Sequence, residues 1–187
     1  QLAAGISQDV EADDSILELT TARLPWLVLA LLGGFISVEM LGLFEGAMKE
    51  HYKLFFFTPL IAAMAGNVGV QSSAIVVQSL AKGNDPFSSL SKKLGKETLV
   101  ALLNGLILSS LIFCIAYVFE NATLGFVVSI SLYTVIIFAA ILGTIIPLVM
   151  NRYNIDPALA TGPFVTTLND IIGLFIYFSV GMLMYHI

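Results

Sequence analysis

The stretch LGFVVSISLYTVIIFAAILGTIIPLVM, residues 124–150, runs for 27 positions without an Asp, Glu, Lys or Arg. About 20 predominantly apolar residues are enough to cross the hydrocarbon core of a bilayer as a helix. Working outward, the same reading picks out residues 24–43, 54–80 and 99–119 before it and 163–185 after it. The second and fourth are longer than a bilayer requires, so they must tilt, bend or protrude. Pro59 and Pro147 lie near their ends and are the places to bend. The expected fold class is an all-α integral membrane protein with five transmembrane helices per protomer.

Composition agrees. The 187-residue chain is 58% hydrophobic and 11% charged, where a soluble domain carries about a quarter of charged residues. So many apolar side chains cannot hide in a globule of this size, whose burial is incomplete. A soluble enzyme or binding module is disfavoured, as are disorder and nucleic-acid binding, since the net charge is −5. The single cysteine, Cys114, cannot form an internal disulfide.

Five spans put the termini on opposite sides of a cell membrane. With the N-terminus cytoplasmic, the inner segments hold Arg23, Lys82, Lys92, Lys93, Lys96 and Arg152, and the outer ones only Lys49 and Lys53. The positive-inside bias therefore predicts N-in and C-out. Residues 1–22 differ from the rest: Asp9, Glu11, Asp13, Asp14 and Glu18 make them acidic, with Ile16, Leu17 and Leu19 as the apolar cluster. This is not a signal peptide, which needs a basic start and an apolar middle. Without an initiator methionine, the chain is expected to be a piece of a longer one. The segment reads either as a solvated tail or as a helix docking on the inner face. The predicted organisation is an acidic cytosolic segment, 1–22, followed by a five-span domain, 23–187.

Polar residues inside the spans are the candidates for function, because a charge in a spanning helix costs about 2.5–3.5 kcal/mol on insertion scales. Asp170 lies seven residues into the fifth span, flanked by Thr166, Thr167 and Asn169, and that span has no lysine or arginine. Thr166, Asp170, Gly173, Tyr177 and Gly181 follow one another at helical spacing and form one stripe. Such a stripe either lines a water-filled path or holds a structural acid bonded to a neighbouring helix. In the second span Asn67, Gln71, Ala74 and Gln78 share a face, with Gly66, Gly69 and Ser73 beside it. Small residues let helix backbones approach, and Gly with Asn permits local unwinding, as in broken transporter helices. Glu39 and Glu45 are possible outer-side acids, or simply reach the interface. Asn104, Ser109, Ser110, Ser129, Thr134 and Thr144 read as helix–helix hydrogen bonders.

Several chemistries lack their parts. There is no Walker-type loop, and His51 and His186 stand far from the cysteine, so zinc and haem have no ligand set. No serine sits in a nucleophile elbow. An enzyme is disfavoured, which leaves conduction or transport of something that wants a carboxylate.

Two segments carry a resemblance: Gly66-Asn67-Val-Gly69-Val-Gln71, and Asp156-Pro-Ala followed by Gly162-Pro163, Thr167-Leu-Asn-Asp170, Gly173 and Tyr177. In this order and spacing, together with Leu24-Pro-Trp, Lys96-Glu97 and Asn104-Gly105, the chain from about Arg23 onward resembles the MgtE family of magnesium channels or transporters. The resemblance implies a homodimer with a pore on or near its axis, the aspartate at Asp170 as central ion site, and backbone carbonyls at Thr166 assisting. It brings in Asn67 and Gln71 as pore residues, and the expected pore lining also includes Gly162, Thr167, Gly173 and Tyr177. The chain departs from the family at Gly162, where an asparagine is expected. Family members also carry cytosolic magnesium-sensing domains, including a CBS pair, ahead of the membrane part. Residues 9–20 resemble the end of the helix connecting the two.

Mg²⁺ demands octahedral oxygen ligation and gives up water reluctantly. One mid-membrane acid per protomer is too few for a dehydrated cage, whereas two in a symmetric dimer balance the charge of a hydrated ion. Two facing carboxylates also repel, so protons and Mg²⁺ should compete for them. Ca²⁺ and Mn²⁺ suit the same donors. Two alternatives stay open: a Na⁺- or H⁺-coupled divalent cation carrier, and a membrane subunit that transports nothing.

Overall fold

A computed structural model describes residue 6, residues 10–82 and residues 90–185; Asp9 and His186 lie outside the described residues. Helices α1 (Ile16–Gly42), α2 (Glu45–Glu50), α3 (Thr58–Ala81), α4 (Leu90–Phe119), α5 (Ala122–Arg152) and α6 (Pro163–Tyr185) follow in order. Short 3-10 segments, Tyr52–Phe57 and Pro157–Thr161, lead into α3 and α6. No strand occurs among the described residues, and α1, α3, α4, α5 and α6 are long and apolar enough to cross a membrane.

Helix starts are set by local chemistry that hydrophobicity does not report. The first helix begins at Ile16 rather than residue 24 because Ser15 and Glu18 form a capping box. The Ser15 hydroxyl accepts the Glu18 N–H, and the Glu18 carboxylate accepts the Ser15 N–H. Residues 16–22 of the acidic segment are thus continuous with the first span, and Pro25 sits inside the helix. Likewise α4 begins at Leu90 rather than 99 and carries Lys92, Lys93, Lys96 and Glu97 in its first turns. Asn121 caps α5 by accepting the Leu124 N–H at 2.9 Å. The fifth span runs from Pro163 to Tyr185, its missing first-turn N–H being one that no helix could pair.

Two expectations about breaks are corrected. Pro59 opens α3 instead of bending it, and α3 runs unbroken through Gly66 and Asn67, with no local unwinding. Those glycines serve contact between helices. A Cβ on Gly143 of α5 would stand 2.4 Å from the Gly69 carbonyl oxygen, and one on Gly173 of α6 would stand 2.7 Å from Ala65 Cβ. Bare backbone at these points lets the three helices close on one another.

In the bundle, α5 is central. It packs on α4, α3 and α6, while α6 also packs on α3 and α1. The core joins Val127, Val128, Leu132 and Val135 of α5 to Ile61 and Ala65 of α3 and Leu174, Tyr177 and Phe178 of α6. Leu27, Leu31 and Phe35 of α1 point outward, which suits acyl chains rather than water. Polar ties also join the elements. Ser129 donates to the Ser109 carbonyl at 2.8 Å, and the Tyr177 hydroxyl donates to the Leu54 carbonyl at 2.9 Å. The Ser109, Thr134 and Thr144 hydroxyls bond within their own helices, and Asn104 and Ser110 are exposed.

Candidate functional site

One side of α6 faces an open cleft of about 540 Å³. Its walls are Ala30, Gly33, Gly34 and Ser37 of α1, Val70 of α3, and Thr161, Gly162, Pro163, Thr166, Thr167 and Asp170 around the start of α6. Among the described residues that line it there is no lysine, arginine or histidine, and Asp170 is the charged one. Its Oδ1 is buried and has no hydrogen-bond partner among the described residues. A carboxylate without donors, at the wall of an open cleft, is equipped to receive a cation or the waters around one.

Three glycines position this carboxylate. On α3, a Cβ at Gly66 would stand 2.8 Å from Asp170 Oδ1, and one at Gly69 only 1.8 Å from Asn169 Nδ2. On α1, a Cβ at Gly33 would stand 1.8 Å from Thr167 Cγ2. Residues within one turn of α6 are thus seated on different neighbours: Thr167 on α1, and Asn169 and Asp170, at points one turn apart, on α3. Asn169 is 1% exposed, and both of its amide atoms lack partners among the described residues. It acts as a plug that fixes the rotation of α6. At the mouth of the cleft, the Gly162 carbonyl accepts both the N–H and the hydroxyl of Thr166 at 3.4 Å.

The other expected residues separate into two groups. Asn67 and Gln71 are exposed, together with Ala74 and Gln78, on a face of α3 left unpacked among the described residues. The α6 stripe divides. Thr166 and Asp170 face the cleft, but Gly173 and Tyr177 are buried in the core of the bundle, Gly173 against Ala65 and Val135 and Tyr177 through its bond to Leu54. Gly173 and Tyr177, expected to line a pore, are not among the residues that line this cleft. Glycine brings the α3 and α5 side chains close, and the satisfied hydroxyl removes most of the cost of burying the tyrosine. Glu39 is exposed on α1, and neither it nor Glu45 lines the cleft. Glu45 pairs with Lys49 at 2.7 Å, which holds its carboxyl below the usual carboxylate range.

Reading the sequence missed the α1 wall. Its signal was the spacing of the small residues Ala30, Gly33, Gly34 and Ser37, one turn apart on one helix face. Among the described residues no three His, Cys, Asp or Glu side chains cluster, so the described part of the chain builds no carboxylate cage.

The chain is similar to known proteins over nearly its whole length. The family profile MgtE, described as divalent cation transporter, matches residues 58–180. The magnesium transporter MgtE of Bacillus subtilis is 37% identical over 184 residues, covering 98% of this chain and 41% of that protein. The magnesium transporter MgtE of Enterococcus faecalis is 33% identical over 179 residues, covering 95% of this chain and 39% of that protein. That of Thermus thermophilus is 33% identical over 182 residues, covering 97% and 40%. The chain thus spans about two fifths of the length of these relatives.

Proposed function

The chain belongs to the MgtE family of divalent cation transporters, and on that premise we propose that it forms the membrane half of a magnesium channel, with Asp170 as its central ion site. The observation that carries this reading is the Asp170 carboxylate, unpartnered at the wall of an open cleft whose described lining holds no other charge. Two copies of the chain supply the pathway. The exposed amides Asn67 and Gln71 on the unpacked face of α3 would be poorly placed against lipid, and meet either the second copy or the water between the two.

The cleft has room for an ion that keeps its water. Six waters at roughly 30 Å³ each need about 180 Å³, well within the 540 Å³ available. The Asp170 carboxylates of two protomers then balance the charge through hydrogen bonds to those waters, aided by backbone carbonyls near Thr166 and Gly162. Outer-sphere holding of this kind avoids the dehydration that Mg²⁺ resists, and it is weak enough to let the ion leave, which conduction requires. The lysine and arginine count puts the N-terminus in the cytoplasm, and the cytosolic sensing domains of the family would then precede residue 1. Residues 16–22, helical and continuous with α1, are the route by which such domains would act on the α1 wall of the cleft.

Mg²⁺ flux into liposomes, with no other ion gradient, tests the proposal. Flux through the wild type and none through Asp170→Asn is expected. Flux only when a Na⁺ or H⁺ gradient is added would make the chain a coupled carrier, and wild-type flux through Asp170→Asn would move the ion site elsewhere.

A further inference from the structure

Across the cleft from α6, helix α1 contributes a polar side chain, Ser37, beside Ala30, Gly33 and Gly34. Two contacts fix its height. Gly33 lies against Thr167 of α6. Phe44 and Phe178, each eleven residues further along the chain, stack with ring centroids 5.3 Å apart. The two helices therefore run in the same direction and in step. Ser37, one turn beyond Gly33, stands level with Asp170, one turn beyond Thr167. The Ser37 side chain is half-buried, and its hydroxyl donates to the Gly33 carbonyl at 3.2 Å. With its proton spent there, the oxygen turns its lone pairs outward as an acceptor. Thr166 is set in the same way by the Gly162 carbonyl. A Cβ on Gly34 would meet no described atom within 4 Å, so the space before Ser37 stays open.

We propose that Ser37 is a specificity-determining residue of the ion site, accepting a hydrogen bond from a water of the hydrated Mg²⁺ opposite Asp170, a role that rests on Asp170 being that site. Waters bound to a cation turn their protons outward, so the walls that hold them must accept hydrogen bonds. A carboxylate on one wall attracts any cation and sets no size. Acceptors on two helices, kept in step by the Gly33–Thr167 contact, set the width that the hydrated ion has to fill. Mg²⁺ holds its waters in a near-ideal octahedron, whereas Ca²⁺ takes a larger and more variable set of oxygens in flexible geometry. A width fixed from both sides suits the first ion. Loss of the α1 side removes that fit, while the attraction of Asp170 for either ion remains.

The test is titration of the chain in detergent with Mg²⁺ and, separately, with Ca²⁺, for Ser37→Ala, Ser37→Thr, Ser37→Val and Asp170→Asn. Threonine keeps the hydroxyl and valine has the same shape without it, so that pair separates the hydrogen bond from packing. Ser37→Ala and Ser37→Val should weaken Mg²⁺ binding about two- to tenfold, the range of a single hydrogen bond, and weaken Ca²⁺ binding less. Ser37→Thr should stay close to the wild type, and Asp170→Asn should weaken both ions. Unchanged Mg²⁺ affinity in Ser37→Ala and Ser37→Val, beside a loss in Asp170→Asn, would overturn the proposal and leave Asp170 as the ion site. Equal losses for Mg²⁺ and Ca²⁺ would overturn it as well, and so would equal effects of threonine and valine, which would make Ser37 a packing residue. No change in Asp170→Asn would overturn the reading of the cleft itself, and the role of Ser37 with it.

Discussion

At the scale of single residues, Asp170 owes its position to its neighbours. Asn169 fills the notch over Gly69, and that seat turns the next residue into the cleft. Gly69→Ala is expected to destabilise the fold by about 1–3 kcal/mol, the usual penalty for overpacking, and to weaken Mg²⁺ binding by displacing α6. In an Asn169→Ala background the added methyl meets no amide, and its next neighbour is Val165 Cγ1 at 3.2 Å. The two changes should therefore be strongly non-additive in thermal unfolding and in apparent Mg²⁺ affinity; simple additivity would mean that Asn169 does not hold α6 in register. For Asp170→Asn, loss of a charged partner for the ion's waters should cost about 1.5–3 kcal/mol, roughly tenfold to a hundredfold in Mg²⁺ affinity, as measured by titration. Asp170 was legible in the sequence because an unpaired acid in an apolar run is conspicuous. Asn169 and Gly69 were not legible as a pair, since their match depends on how two helices dock.

Among the elements, the five spans could be read from hydrophobicity alone, and the fifth was found to the residue. The starts of α1 and α4 could not, because a capping box and amphipathic lysine-bearing turns extend each helix into polar sequence. The α6 stripe was legible as a helical face, but not the point at which that face turns into the core, which Gly173 and Tyr177 reveal only through contacts with α3, α5 and Leu54. Helix α1 is the most lightly held span, docked mainly on α6 with Thr167 seated on Gly33. Gly33→Leu should lift α1 from α6, costing about 1–3 kcal/mol in detergent unfolding, and it should alter Mg²⁺ flux because α1 is one wall of the cleft. Unchanged stability and flux would show that α1 can slide to accommodate the side chain.

For the whole molecule, the cleft is half of the proposed pathway, and the exposed α3 face with Asn67 and Gln71 belongs to its other half. In a Cys114→Ser background, Gln71→Cys should form a disulfide-linked dimer on mild oxidation in membranes, whereas a cysteine at Phe35, on the lipid side of α1, should not; equal cross-linking of both would signal random collision. Protonation removes the charge that Asp170 offers the ion, so Mg²⁺ affinity should fall as pH is lowered, with the profile flattened in Asp170→Asn. Affinity that does not change between acid and neutral pH would mean that no carboxylate holds the ion. The most direct measurement places a cysteine at Thr166, inside the cleft and one turn from Asp170, again with Cys114→Ser, and follows its modification by a positively charged thiol reagent. The account predicts that the reagent reaches position 166 from water, that Mg²⁺ slows the reaction, and that this protection disappears in Asp170→Asn. Modification that Mg²⁺ does not slow, or protection that persists without the carboxylate, would contradict it.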